Sequence, residues 1–225
     1  MQNAEWDCPL CILHSAPCHY FPAMRIAIIG AGRVGMALGH GWVRAGHDVV
    51  FGVRHPAGKE VLVGRVASVP EAARAAEVVV LATPWSAAEE ALRSAGPLNG
   101  KVVVDCTNPI LPGLAGLAIG TSESAAERLA AVVPDARVVK AFSTTGAANM
   151  AYPAYGEHRV TMLLCGDDAA ARQVVAKLTE DLGMEPVDAG GLQVARYLEP
   201  LAMLWIHLAY KQGLGPDFAL QLLRR

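Results

Sequence analysis

The stretch that decides the fold is residues 24–35, MRIAIIGAGRVG. Ile26, Ala27, Ile28 and Ile29 form a short apolar run, the pattern of a strand buried in a parallel sheet. Gly30, Gly32 and Gly35 follow with the spacing G-x-G-x-x-G, and residues 36–45 read as a helix closed by Gly46. Strand, glycine turn and helix together are the context of a dinucleotide site. The first glycine permits the tight turn, the second lets a pyrophosphate approach the backbone, and the third lets helix pack on strand. The amides of Arg33, Val34 and Gly35 then lie at a helix N-terminus, where free N–H groups and the positive dipole end favour phosphate.

A second short strand, Val49, Val50 and Phe51, leads into Gly52-Val53-Arg54-His55-Pro56. Sites that prefer NAD place a carboxylate near this point to hold the ribose 2′-hydroxyl. No carboxylate lies between Phe51 and Ala57, whereas Arg54 and His55 sit just past the strand. A guanidinium there suits a 2′-phosphate, because Arg binds phosphate bidentately and keeps its charge. The expected cofactor is NADP(H), with Arg33 in the glycine turn as a second phosphate contact.

The chain has 225 residues, 53% of them hydrophobic, and a net charge of −2. That bounds it to one large domain, or a nucleotide domain with a small appendage. The charge argues against a nucleic-acid or anionic-membrane surface. The apolar stretch at 200–210 is too short to span a bilayer. No secretory signal is recognisable, so the expected location is the cytoplasm. Cys106 and Cys165 do not suggest a disulfide framework.

Residues 1–23 differ in character. They hold Cys8, Cys11, Cys18, His14 and His19 but no lysine or arginine. Cys8-x-x-Cys11 has the spacing of half a zinc site, but the adjacent Cys18 and His19 make a poor second half, and no metal is expected. The segment reads as a flexible extension with Met24 as the natural start.

Further along, 66–67 reads as a brief strand, Ser68 as the cap of a helix over 70–76, and 78–82 as a strong strand. Ser86 reads as the cap of a helix over 87–95. Strands are expected at 102–105 and 137–142, a packed loop at 110–120 and a helix at 124–133. From residue 160 come a strand to 165, a helix over 168–182, a strand at 185–188, a mostly helical run over 192–214 interrupted at Pro200, and a last short helix over 216–225. Alternation of strands and helices with short connections predicts an α/β fold, a doubly wound parallel Rossmann sheet with a small C-terminal α/β appendage. The expected division is an extension at 1–23, an NADP-binding domain at 24–150, and a part at 151–225 that completes an acceptor cleft.

Ligands in open parallel sheets bind beyond the carboxyl ends of the strands. Three such ends are distinctive: Thr83-Pro84-Trp85, Thr107-Asn108-Pro109 and Ser143-Thr144-Thr145. Thr83, Pro84 and Asn108 are candidates for the nicotinamide side, and Trp85, Pro109, Ser143 and Thr144 for the acceptor cleft. Hydroxyls and amides orient rings without supplying a strong acid or base, so no catalytic residue is assigned. For Trp85, ordinary packing competes with stacking on a ring. Lys140 reads as a strand-edge or salt-bridged lysine rather than a catalytic one, and Cys106 as a buried inert thiol. Arg196 and Glu199 have the spacing of a pair on one helix face. Leu201, Leu204, Trp205 and Leu208 fit a buried helix face or a subunit interface, which would make the chain a homodimer through the C-terminal helix.

From residue 24 onward the chain resembles the NADPH-dependent deazaflavin (coenzyme F420) oxidoreductases and the related NADPH-binding domain of membrane ferric reductases. The resemblance is carried by MRIAIIGAGRVG, by GVRHP at 52–56, LATPW at 81–85, VVKAFSTTGAANM at 138–150, and GLQVARYLEPLAMLWIHLAY at 191–210. It implies a Rossmann-type domain with a small C-terminal part that passes hydride directly between NADP(H) and a flavin or deazaflavin. Such chemistry needs oriented rings rather than a proton-transfer residue. The chain departs from the family pattern at Val53, where a serine is usual, and at Asp105-Cys106-Thr107-Asn108-Pro109. Two other readings stay open: an imine or 2-hydroxy-acid dehydrogenase related to pyrroline-carboxylate reductases, and a non-catalytic NADP-binding sensor. Neither involves nucleic acid or membrane; in the enzymatic readings the partner is a small-molecule redox acceptor or substrate.

Overall fold

The computed structural model describes residues 22–223 and 225, so the Cys8–Cys11 spacing and nearly all of the N-terminal extension lie outside the described residues. The first half alternates strand and helix: β1 (Arg25–Ile29), α1 (Arg33–Arg44), β2 (Asp48–Val53), β3 (Arg65–Ser68), α2 (Val69–Ala75), β4 (Val78–Leu81), α3 (Trp85–Ser94), β5 (Val102–Asp105), α4 (Ala125–Val132) and β6 (Arg137–Lys140). Then come α5 (Ala147–Ala151), the small hairpin β7 (Ala154–Tyr155) and β8 (His158–Arg159), β9 (Thr161–Gly166), α6 (Ala169–Asp181), β10 (Glu185–Asp188) and α7 (Ala195–Ile206).

Eight strands form one sheet in the order β10-β9-β6-β5-β4-β1-β2-β3. Strands β1 to β6 pair in parallel; β9 meets β6 antiparallel, and β10 lies parallel to β9. The C-terminal part therefore extends the same sheet instead of building a second one. The chain leaves β1 toward β2 and β3 on one side, then returns to β4 on the other. The carboxyl ends of β1 and β4 thus flank a topological switch point, where open sheets bind ligands.

Strand side chains alternate between two apolar layers. Ile26, Ile28, Val78, Val80, Val102 and Val104 face the layer of α1 and α6, while Ala27, Ile29, Val79, Leu81 and Val103 face the layer of α2, α3 and α4. Helix α1 contributes Leu38 and Trp42, both fully buried. Each such side chain stabilises the fold by about 1.5–3 kcal/mol. The Trp42 indole N–H also donates to the Leu178 carbonyl at 2.9 Å, which ties α1 to α6 of the C-terminal part.

Helix starts follow local chemistry. Ser68 and Ser124 each form a reciprocal capping box, with Glu71 and Glu127. The Asp168 side chain accepts the Ala171 amide at 2.7 Å and caps α6.

Three sequence expectations are corrected. Ser86 does not cap α3: the helix begins at Trp85 with Pro84 as its cap, because the proline carbonyl already accepts the Ala87 amide at 3.0 Å. Pro200 does not interrupt α7, since a proline removes one helical bond only and the buried face continues across it from Leu198 and Glu199 to Ala202 and Trp205. Residues 216–223 form no helix. Donors from elsewhere capture their carbonyls: the Phe218 oxygen accepts Trp205 Nε1 at 3.0 Å and Asn149 Nδ2 at 2.7 Å, and the Leu220 oxygen accepts the Thr161 amide at 3.1 Å.

Candidate functional site

Backbone hydrogen bonds draw three strand ends together. The Gly30 amide donates to the Gly52 carbonyl at 3.1 Å, and the Ala82 amide donates to the Ile29 carbonyl at 2.9 Å. The turn after β1 therefore lies against the ends of β2 and β4. Gly30 has φ +108°, and a Cβ there would sit 2.6 Å from the Ala82 carbonyl oxygen. At Gly35 a Cβ would meet the Gly30 oxygen at 2.1 Å. Both glycines are demanded by the fold itself.

Gly32 is different. Its φ of −87° suits any residue, and a Cβ would meet nothing within 4 Å. It is the N-cap of α1, a position that Ser, Thr, Asp and Asn favour and that glycine fills at a cost of only about a few tenths of a kcal/mol. No side chain caps α1, and its first turn carries no acidic residue. The amides of Arg33, Val34 and Gly35 precede the first helical bond, from Met36 to the Gly32 carbonyl. They form an uncapped, electropositive end beside open space.

That end opens onto a cavity of about 310 Å³. Gly30 and Gly32, Arg54 beyond β2, and Thr83 and Pro84 beyond β4 line it. Val69 and, from α3, Ala87 and Ala91 supply its apolar wall, and Glu90 and Ser94 add polar groups. Arg54 is exposed and has no carboxylate partner among the described residues. Arg33 and His55 are also exposed but lie outside the cavity lining, while Val34 is half-buried.

The ends of β5 and β6 form a second group. Asn108 Nδ2 donates to the Ser143 carbonyl at 2.9 Å. Three buried side-chain oxygens there and at the end of β4 have no protein partner: Thr83 Oγ1, Asn108 Oδ1 and Ser143 Oγ. Buried polar atoms are nearly always hydrogen-bonded, so each of the three is open to a ligand or a water. Pro109 and Thr144 are buried in this group, and Trp85 is half-buried at the start of α3 against the apolar layer around Leu81 and Leu92. Trp85 thus packs on that layer with part of its ring exposed.

Beneath these strand ends lies a buried ionic cluster. Lys140 Nζ is 2.9 Å from Asp105 Oδ2 and 3.3 Å from Glu199 Oε1, and it donates to the Thr107 carbonyl. Burial opposes the ammonium, but Asp105 and Glu199 outweigh it, and the Lys140 pKa is raised. Burial also raises the Glu199 carboxyl, against the pull of Lys140 and of the Ala125 and Ala126 amides. Burial, with Asp105 nearby, pushes the Cys106 thiol well up, so it carries no thiolate at neutral pH. Arg196 and Glu199 do not pair with each other. Arg196 reaches Glu127 at 2.7 Å, while Glu199 points inward to Lys140 and the start of α4.

The sequence reading missed Glu90, Ser94 and the α3 wall of the cavity. Ala87, Glu90, Ala91 and Ser94 recur at helical spacing, a signal that marks one face but not what it faces. Among the described residues no group of three or more His, Cys, Asp or Glu side chains is placed to hold a metal, and no helix is long and apolar enough to cross a membrane.

Residues 25–109 match the family model described as NADP oxidoreductase, coenzyme F420-dependent. The F420-dependent NADP reductase of Methanothermobacter marburgensis is 31% identical over 210 residues, covering 84% of this chain and 93% of that protein. Metalloreductase STEAP3 of Rattus norvegicus is 33% identical over 188 residues, 81% of this chain, but the chain spans only 37% of that protein's length. The crystal structure of an F420-dependent NADP reductase candidate from Arthrobacter sp. FB24 superposes with a TM-score of 0.80 at 30% identity, covering 90% of this chain and all of the other.

Proposed function

The chain belongs to the family of coenzyme F420-dependent NADP oxidoreductases, and from that premise we propose that it transfers a hydride between NADP(H) and a flavin or deazaflavin acceptor. The observation that carries the nucleotide site is Gly32. Neither its backbone angle nor its packing requires glycine, and no side chain fills the space at the start of α1. What it leaves is open space beside free amides, the requirement of a pyrophosphate.

In this reading the amides of Arg33, Val34 and Gly35 hold the pyrophosphate, and Gly30 and Gly35 shape the turn. Arg54 takes the 2′-phosphate, with His55 and Arg33 at the rim. The α3 wall receives the adenosine. Thr83, Pro84 and Asn108 orient the nicotinamide, and Pro109, Ser143 and Thr144 border the acceptor cleft that residues 151–225 complete. When bound, NADPH supplies the hydride. The residues at these strand ends offer hydroxyls, an amide and proline surface, which fix two rings face to face and exclude water. No side chain has to carry a proton for such a transfer. The names of the relatives, an F420-dependent reductase and a metalloreductase, support an electron acceptor in place of a carbonyl or imine substrate. Residues 151–225 add two strands and two long helices to the first domain's own sheet.

NADPH oxidation with a panel of FMN, FAD, deazaflavin, a ferric chelate and a cyclic imine tests the reading. Turnover is expected with the flavin-type acceptors. Turnover with the imine alone would favour the dehydrogenase, and NADPH binding without any turnover would favour a sensor. Self-association through α7, where Tyr197 and Leu204 are exposed, belongs to the same proposal and is read by sedimentation of wild type against Leu204→Glu.

A further inference from the structure

Lys140 is fully buried, and a buried ion pair is weak as a stabilising device, because apolar side chains of similar volume do as well. What the cluster does that apolar side chains could not is grip the backbone beyond β5. Asp105 Oδ1 accepts the Thr107 amide at 2.8 Å and the Thr107 hydroxyl at 2.7 Å, while Asp105 Oδ2 accepts Lys140 Nζ at 2.9 Å. Lys140 also donates to the Thr107 carbonyl. Thr107 is therefore held at its amide, hydroxyl and carbonyl, and the next residue is Asn108.

The Asn108 amide has its Nδ2 committed to the Ser143 carbonyl at 2.9 Å. This fixes the side chain so that Oδ1 remains a buried acceptor without a protein partner; Ser143 Oγ, on the residue whose carbonyl Asn108 holds, and Thr83 Oγ1, beyond the neighbouring strand β4, are likewise unpartnered. An acceptor and two hydroxyls, one from each of three adjacent strand ends, match a primary carboxamide, which has two N–H donors and one carbonyl acceptor. The grip on Thr107 depends in turn on α7. Glu199 holds Lys140 at 3.3 Å and is itself held by the Ala125 amide at 2.9 Å and the Ala126 amide at 3.1 Å, at the N-terminus of α4.

We propose that Lys140 is a positioning residue for the nicotinamide carboxamide, acting through Thr107 on Asn108, and that Glu199 of α7 holds Lys140 to that task. The inference rests on the NADP(H) reading above. It gives the last helix, more than 90 residues away from Asp105 in sequence, a direct part in aligning the hydride donor.

The test compares two ligands by calorimetry on the full chain: NADPH, and 2′-phospho-ADP-ribose, which lacks the nicotinamide. Wild type should bind NADPH the tighter of the two; equal affinities would overturn the nicotinamide contacts themselves, and with them the reading on which this inference rests. Lys140→Met should weaken NADPH about tenfold, the worth of roughly one hydrogen bond, and leave the fragment within about twofold. If Lys140→Met does not fold, Glu199→Gln carries the test, because glutamine can still accept an α4 amide. Its expected signature is the same split, with a smaller loss. A purely structural role predicts that both ligands change in parallel or neither changes, and either result in a folded variant would overturn the proposal. Thr107→Ser, which keeps all three grips, should bind both ligands as wild type does; selective loss of NADPH there would also count against it.

Discussion

At the edge formed by β1, β2 and β4, a glycine turn and an uncapped helix end face an open cavity walled on its far side by α3. At the edge formed by β5 and β6, the walls are buried polar side chains, and what holds them comes from α4 and α7. The first edge draws its shape from short-range chemistry: a positive φ at Gly30, a close approach at Gly35, an uncapped helix end at Gly32. The second draws it from Lys140, Asp105 and Glu199, which meet only after the chain has returned. The contrast teaches where each kind of mutation should act. Changes at the open positions of the first edge, Gly32 and Arg54, should alter ligand binding and leave the fold intact, whereas changes at the second edge should alter both.

The largest expected effect lies on the second edge. Lys140→Met leaves two carboxylates buried without a cation and should cost about 3–5 kcal/mol of folding stability at pH 7. Urea unfolding measures it, and a loss below about 1 kcal/mol, within the range of an exposed pair, would mean that the cluster is not sealed from water. On the first edge, Gly32→Val should fold with near-native stability yet lose NADPH binding by more than about a hundredfold, since a branched side chain fills the space beside the free amides. A variant that binds NADPH normally would remove the pyrophosphate from this turn.

Arg54→Ala should weaken NADPH by about 1.5–3 kcal/mol, the range for a hydrogen bond to a charged group, with NADH almost unchanged. Equal losses for both cofactors would make Arg54 a general contact instead of a reader of the 2′-phosphate. The smallest effect concerns the pair that links α7 to α4. The Arg196 guanidinium, with help from Ser124 and against the opposing effect of burial, holds the Glu127 carboxyl down at about 2. A depressed folded pKa contributes stability above the unfolded value, near 4.5, and loses it as pH falls toward about 2. Glu127→Gln should therefore be less stable than wild type by about 1–2 kcal/mol at pH 7, and the gap should close between about pH 5 and pH 2. A gap independent of pH would assign the loss to packing.

The same contrast explains what could be read from the sequence. The strand-turn-helix at 24–44, the strand ends at 83–85 and 107–109, and Arg54 past β2 are local patterns, and each stands in the structure where its spacing put it. The doubly wound sheet followed from their alternation. What was not legible is set by distant contacts. Arg196 and Glu199 have the spacing of a helix pair, but a stronger partner waits for each, in Glu127 and Lys140. The tail at 216–223 looks helical by composition, yet Trp205 and Asn149 claim its carbonyls. The antiparallel entry of β9 beside β6, and the α3 wall with Glu90, likewise have no signature within a window of neighbouring residues.

In the proposed function, hydride passes directly from NADPH to the acceptor. NADPH carrying deuterium at the transferring carbon, mixed with the enzyme and an oxidised deazaflavin, tests it most directly, because the reduced carbon of a deazaflavin does not readily exchange with water. Mass spectrometry of the reduced acceptor should find the deuterium at that carbon. Hydrogen drawn from solvent at the same position, with the deuterium retained in the nucleotide or lost to water, would contradict it.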